Sequence, residues 1–382
     1  MKLHFTAAEA SGDLLARETI EAIKVRAPEC EFAGIGGREM ARLGIQSPFD
    51  IAPLSVLGFI EGIKAYSTVT RLADQAADHI IAAAPDAAVL VDSWGFCLRV
   101  GQRVRARAPH IRLIKLVGPQ IWATRPGRAK TLAETFDQVL CLHRMELDYY
   151  ADLPIEAEVI GVPALSRGKP GDKARFCAAN DLSPDKPILL VLPGSRMSEI
   201  RRVAPDLMEA ARLVKQAQPE VQLVAMPAES VADAFREDFA GSLDGMTIPD
   251  ASAPHEDAMA AADLALVCSG TVSSEVAVQG TAMLVGYRLG TLSYMLAKRA
   301  YRPTHVTLVN IAGGDREIIP EFIQDDLRGD TLARTALNLL ASPERRTSQV
   351  AQQTDALMAM GYGEQPAPER AADAILASLA EV

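Results

Sequence analysis

Short β-rich runs alternate with longer helical patterns almost throughout the chain. That alternation leaves little room for anything but βα units around parallel sheets. In the first part, strands are expected at 2–8, 31–36, 87–93, 112–118, 138–143 and 157–162. The stretch 166–173 combines Gly, Pro and charge and reads as a linker. Strands resume at 187–194, 221–227, 246–250, 264–270, 282–288 and 304–310, and from about 329 onward the pattern is helical. A length of 382 residues agrees with about two domains. The expected division is two Rossmann-like α/β domains, 1–165 and 174–355, facing a cleft, with a helical tail, 356–382, packed on the first domain or on a partner.

Charge narrows the partners. With 39 basic against 49 acidic residues the net is −10, which argues against general nucleic-acid binding. The distribution is uneven: most of the acidic excess lies in the second half. Between 99 and 130 stand Arg99, Arg103, Arg105, Arg107, Arg112, Lys115, Arg125, Arg128 and Lys130 without one acidic residue. Just ahead, 54–72 carries Leu54, Leu57, Phe59, Ile60, Ile63, Tyr66 and Val69 among few charges. Two readings stay open: a helix packed in its own core beside a solvated basic face, or a pair of features that meets an anionic lipid surface. Five cysteines, with no C-x-x-C pair and no histidines at metal spacing, give neither a disulfide framework nor a zinc site. No signal peptide and no spanning run is visible, so a cytoplasmic protein, at most peripheral on a membrane, is expected.

Three strand ends carry the chemistry. "AEASGD" (8–13) places Glu9, Ser11 and Asp13 at the carboxyl edge of the first sheet, where open α/β sheets bind ligands; Ser11 or Asp13 serves equally as a helix N-cap. "LPGSRMSEI" (192–200) offers Arg196 and helix-start amides to a phosphate, without the Lys-Ser/Thr of a Walker loop. "CSGTVSSE" (268–275) adds Ser269, Gly270 and Thr271, with Glu275 spaced to accept from two vicinal ribose hydroxyls. Either loop alone reads as a plain turn. Together they favour a nucleotide-sugar diphosphate. No D-x-D occurs, so no metal or other cofactor is expected, and Arg196 and Arg288 are left to hold the leaving group's charge.

The ordered series "AEASGD", "GIGG", "LGFIEG", "GPQIWATRPGR", "PGSRMSEI", "SGTVSSE", "LVGYR", "LAKRAY", "LVNIAGG" and "PEFIQDD" resembles the bacterial lipid-A-disaccharide synthases over nearly the whole chain. The resemblance implies a GT-B glycosyltransferase. Such an enzyme joins UDP-2,3-diacylglucosamine to 2,3-diacylglucosamine 1-phosphate with inversion, releases UDP, and works at the cytoplasmic face of the inner membrane. Carried over residue by residue, it matches Glu9, Ser11, Asp13 and Asn310 to the substrate side, where Glu61 and Arg125 are further candidates. It matches Arg196, Ser269, Gly270, Thr271, Glu275, Glu321 and Gln324 to the nucleotide side, which Arg288 joins through the charge argument.

The family's strand end "IDAPDFN" reads "VDSWGFC" (91–97) here: Asp92 is kept, while the second aspartate falls on Gly95 and the asparagine on Cys97. The family's "GH" is Gly161-Val162, and "WAWR" is "WATR" (122–125). The base is therefore expected to be Asp92, with Glu9 or Glu61 as substitutes; on spacing alone Asp92 equally caps the turn into the next helix. Two other readings remain, a GT-B-fold UDP-sugar 2-epimerase and a binding relative that has lost its base. The tail also permits a homodimer.

Overall fold

The computed structural model describes residues 1–54, 62–250, 252–290, 294–295 and 299–380, and for 53 and 62–66 the backbone alone. Glu61 and the side chains of Leu57, Phe59, Ile60, Ile63 and Tyr66 lie outside the described ones. The chain forms two compact units, Met1–Ser166 with Gly363–Val382, and Arg167–Tyr362.

The first unit holds six parallel strands: β1 (Lys2–Ala7), β2 (Glu31–Ile35), β3 (Ala87–Val91), β4 (Arg112–Leu116), β5 (Gln138–Cys141) and β6 (Glu156–Val159), in the order β2-β1-β3-β4-β5-β6. β3 reads "AAVLV" and every residue is buried, as a strand covered on both faces requires. On one face pack α3 (Gly62–Ala83) and α4 (Trp94–Arg107), through Leu72, Ala76, Ile80, Val100 and Val104. On the other lie α1 (Ala10–Arg26) and the last helix, Ala367–Ala380, which share a cluster of Ala16, Ile20, Ile23, Ala371, Ala372 and Ile375. Arg26 clasps that helix through Asp373 and Glu369.

The second unit repeats the plan with β7 (Ile188–Leu192), β8 (Gln222–Ala225), β9 (Met246–Thr247), β10 (Leu264–Cys268), β11 (Met283–Tyr287) and β12 (Glu321–Ile323), all parallel, in the order β12-β11-β10-β7-β8-β9. The connecting helices include α8 (Met197–Ala217), α10 (His255–Ala261) and α11 (Val272–Val278).

One expected strand is absent. Residues 304–310 run as a loop into the helix Leu308–Ala312, and β12 occupies the sheet edge instead. The reason lies in the amides. Those of Thr304 and His305 donate to the Asp315 carboxylate, and those of Val306 and Thr307 to Glu321, each Glu321 bond at 2.8 Å. Side-chain acceptors thus replace a ladder, although the β-branched residues read as strand.

The basic window is not a bare cationic face either. Arg103 pairs with Asp74 and Arg107 with Asp78 at 2.7 Å, both acids lying on α3; Arg105 pairs with Asp137 at 2.6 Å, and Arg112 with Glu156. Acids distant in sequence supply the charge that the window lacks.

Candidate functional site

In an open α/β sheet, two neighbouring strands whose connections leave in opposite directions open a crevice at their carboxyl ends. In the second unit those strands are β7 and β10. β7 runs into Pro193–Arg196 and β10 into Ser269–Thr271. Gly194 has φ 118°, a conformation L side chains rarely adopt, and a Cβ there would stand 3.4 Å from Cys268 Sγ. Arg196 is the N-cap residue of the 21-residue α8; its exposed guanidinium pairs with the Glu199 carboxylate of that turn at 3.2 Å.

A cavity of about 910 Å³ opens here. Arg196, Ser269, Gly270, Thr271, Glu275 and Gln324 all line it, so six residues singled out from the sequence converge on one space. Burial raises the proton affinity of Glu275, with His255 opposing that rise and Glu256 adding to it. Gln324 sits at φ 55°, and its buried Nε2 has no hydrogen-bond partner among the described residues. Glu199 and Tyr287, which fall within "LPGSRMSEI" and "LVGYR" but were not singled out as site residues, also line the cavity, as does His255, which belongs to no motif. Glu199 had a signal, its i,i+3 spacing from Arg196; His255 had none, because it arrives on α10 from a separate part of the chain.

Three expected contacts turn out to be braces. Arg288 donates to the carbonyls of Gln324 (3.2 and 3.3 Å), Leu327 and Arg202 and pairs with Asp206 at 2.8 Å; it does not line the cavity. Its five donors suit carbonyl acceptors in a loop as well as they suit phosphate, so the residue type could not separate the two. Asn310 is fully buried. Its Nδ2 donates to Ile319 O and Glu321 Oε1, and its Oδ1 accepts from the amides of Ile318 and Ile319, which exhausts its side-chain capacity and rules out the substrate contact expected of it. Glu321 is consumed by Asn310 and by the Val306 and Thr307 amides and the Thr307 hydroxyl, so it fixes the loop carrying Thr304 and Val306 to the cavity wall rather than holding nucleotide.

In the first unit the corresponding strands are β1 and β3, and their ends bring Glu9 and Asp92 together. Glu9 is the N-cap residue of α1. Burial raises its carboxyl's proton affinity, and the neighbouring Asp92 charge raises it further. Asp92 and Ser93 hold φ 48° and 38°, two consecutive non-glycine residues in the left-handed region. Gly95, in the first turn of α4, leaves open space: a Cβ there would meet only Arg99 Nη1, at 3.6 Å. Ser11 lies exposed in the first turn of α1, and Arg125 is exposed with φ 53°.

Asp13 departs from expectation. Its buried carboxylate accepts from the amides of Gly37 and Glu39 at 2.8 Å and Met40 at 3.3 Å, tying α1 to the start of α2 (Arg38–Ala41). Cβ atoms at Gly36 and Gly37 would stand 2.6 and 2.8 Å from its oxygens, which explains the "GIGG" string as room for this brace. Among the described residues no group of three or more His, Cys, Asp or Glu is placed to hold a metal, and no helix is long and apolar enough to cross a membrane.

A family model described as lipid-A-disaccharide synthetase matches residues 3–375. The lipid-A-disaccharide synthase of Rhodospirillum centenum is 34% identical over 376 residues, 97% of this chain and 92% of that protein. That of Paramagnetospirillum magneticum is 35% identical over 382 residues, 98% and 97% of the two chains. Among solved structures, an S. aureus MnaA–UDP co-structure superposes with a TM-score of 0.63 at 14% identity, covering 100% of this chain and 97% of that one. A putative UDP-N-acetylglucosamine 2-epimerase from Listeria monocytogenes gives 0.60 at 15%, covering 99% and 95%. At such identities the likeness is one of fold.

Proposed function

Since the chain belongs to the lipid-A-disaccharide synthase family, we propose that it transfers 2,3-diacylglucosamine from UDP-2,3-diacylglucosamine to the 6-hydroxyl of 2,3-diacylglucosamine 1-phosphate. The products are the disaccharide 1-phosphate, inverted at the anomeric carbon, and UDP. The chain is a UDP-sugar-dependent glycosyltransferase, and its substrates are a UDP-sugar and a sugar acceptor. The epimerase reading is set aside, because the likeness to epimerases is confined to the fold.

The observation that carries the proposal is the convergence of Arg196, Ser269–Thr271 and Glu275 on one cavity. In this reading the ribose hydroxyls donate to Glu275 and the diphosphate lies against Arg196 and the loop amides. As the bond from the anomeric carbon to UDP breaks, those groups hold the developing charge. Asp92 takes the proton of the attacking hydroxyl. Glu9, whose proton affinity burial raises above the ordinary glutamate value, shares the acceptor crevice and orients the sugar. Nucleotide binding is thereby assigned to the second unit and the acceptor to the first.

The test is UDP release by purified full-length chain supplied with both acylated substrates. Asp92→Asn should lower kcat about 10²- to 10⁴-fold, the range for removing a general base. Near-normal turnover would take Asp92 out of the mechanism, and the same result with Glu9→Gln would remove Glu9.

Contact with an anionic bilayer belongs to the same proposal. With four arginines of the basic window paired to carboxylates, it rests on Arg125, Arg128 and Lys130, together with the apolar 54–72 segment of the sequence. Charge reversal of Arg125 and Lys130 should weaken cosedimentation with phosphatidylglycerol vesicles; unchanged cosedimentation would remove this surface from the proposal.

A further inference from the structure

The first unit buries a lysine that the reaction, as set out, does not use. Lys115 of β4 is 1% exposed. Its Nζ donates to the main-chain carbonyls of Leu90 at 3.3 Å, Leu116 at 3.4 Å and Asp92. Three acceptors match the three donors of an ammonium; a neutral amine has only two. The site lies under the carboxyl ends of β3 and β4, where the chain enters the left-handed Asp92–Ser93 pair. The Asp92 amide donates to the same Leu116 carbonyl at 2.8 Å, so the turn and the lysine share an anchor.

The charged surroundings have one sign. Burial lowers the proton affinity of Lys115, and Cys97 and Asp92 oppose that fall without cancelling it, while the three carbonyl acceptors suit the ammonium. Cys97, on α4, is pushed up to about 11 by burial, with Lys115 opposing and Asp92 and Glu9 adding, so its thiol is neutral at pH 7. The acidic neighbour that favours the ammonium is therefore Asp92, at the end of β3.

We propose that Lys115 is a positioning residue for glycosyl transfer. Its ammonium, seated on the carbonyls of Leu90, Asp92 and Leu116, fixes the left-handed turn that presents Asp92 and sets a positive charge beneath the Asp92 carboxylate. The proposal rests on the reading of Asp92 as proton acceptor. Fixed from below in this way, the base keeps its geometry through turnover without a bound cation.

Lys115→Met, Lys115→Gln and Asp92→Asn test it together, in the full chain with both acylated substrates. Lys115→Met should lower kcat about a hundredfold, the usual effect of misplacing a reacting group by an ångström, with KM for the UDP-sugar unchanged. The acid limb of its kcat–pH profile should move to higher pH, because losing a nearby cation disfavours ionised carboxylates. Lys115→Gln, which keeps two donors without charge, should regain part of kcat yet keep the displaced limb; it carries the test if the methionine variant does not fold. Wild-type kcat with an unmoved acid limb in a folded variant overturns the proposal. So does a fall in kcat with the limb unmoved, the mark of a merely structural lysine. If Asp92→Asn is inactive while Lys115→Met is normal, only the positioning role falls; if Asp92→Asn is fully active, the reading of Asp92 falls first and the proposal with it.

Discussion

Asp13 and Glu275 are both acidic residues near the carboxyl end of a strand, and the structure gives them opposite employment. Asp13 is spent on three backbone amides. Asp13→Ala should therefore destabilise the first unit by about 2–4 kcal/mol, the cost of leaving buried amides unpaired. Urea unfolding should show this with UDP affinity unchanged, and Asp13→Asn, which keeps one acceptor, should cost less. Glu275 faces the cavity with a raised proton affinity. Its ionised form is the better acceptor for hydroxyl donors, so as pH falls, UDP affinity should weaken in a range above that of an ordinary glutamate. Calorimetric titration of wild type against Glu275→Gln isolates this from the titration of UDP itself: the difference, about 10- to 100-fold at neutral pH for a charged hydrogen bond, should vanish as Glu275 protonates. A constant difference across pH would place Glu275 elsewhere than on the ribose. Nothing in the strings "AEASGD" and "SGTVSSE" distinguishes the two acids, because the distinction depends on which amides arrive from α2 and which stay away.

At the level of elements, the glycine-bearing strand ends and three of the four edge strands were legible in sequence, and the edge strand β12 was not. The turns after β1, β7 and β10 follow from strand, small residue and helix start in unbroken succession. The segment 304–310 misleads because its β-branched residues imitate a strand while two distant carboxylates, Asp315 and Glu321, take its amides. Arg288 belongs to the same group of elements. By holding the carbonyls of Gln324 and Leu327 it keeps the residue after β12 in its left-handed conformation beside the cavity. Arg288→Ala should weaken UDP binding about tenfold through Gln324, one hydrogen bond's worth, and should also lower the unfolding midpoint in urea. Loss of UDP affinity with stability unchanged would instead return Arg288 to direct phosphate contact. Arg288→Lys, which lacks the planar fork, should rescue only in part.

Across the whole molecule, the last helix completes the first unit although it follows the second in the chain. Ala371, Ala372 and Ile375 are buried beside Ala16, Ile20 and Ile23 of α1. Truncation after Tyr362 should therefore uncover that face and lower the melting of the first unit by several degrees, about what a few kcal/mol does in a domain of this size. Melting of the second unit, read with UDP present, should stay unchanged; a truncated chain that melts like the full one would show the helix to be dispensable. The sequence by itself determined the parallel α/β architecture, the two-sheet plan and the glycine-bearing loops after β7 and β10, because hydrophobic period, glycine placement and strand-to-helix succession are local properties. Only the tertiary structure decided the rest. It turned Asp13, Asn310, Glu321 and Arg288 into braces, paired the basic window with acids on α3 and elsewhere, and set Lys115 beneath Asp92. In each case the outcome depends on which partner residues distant in sequence are brought within hydrogen-bonding reach, and a linear string carries no record of that.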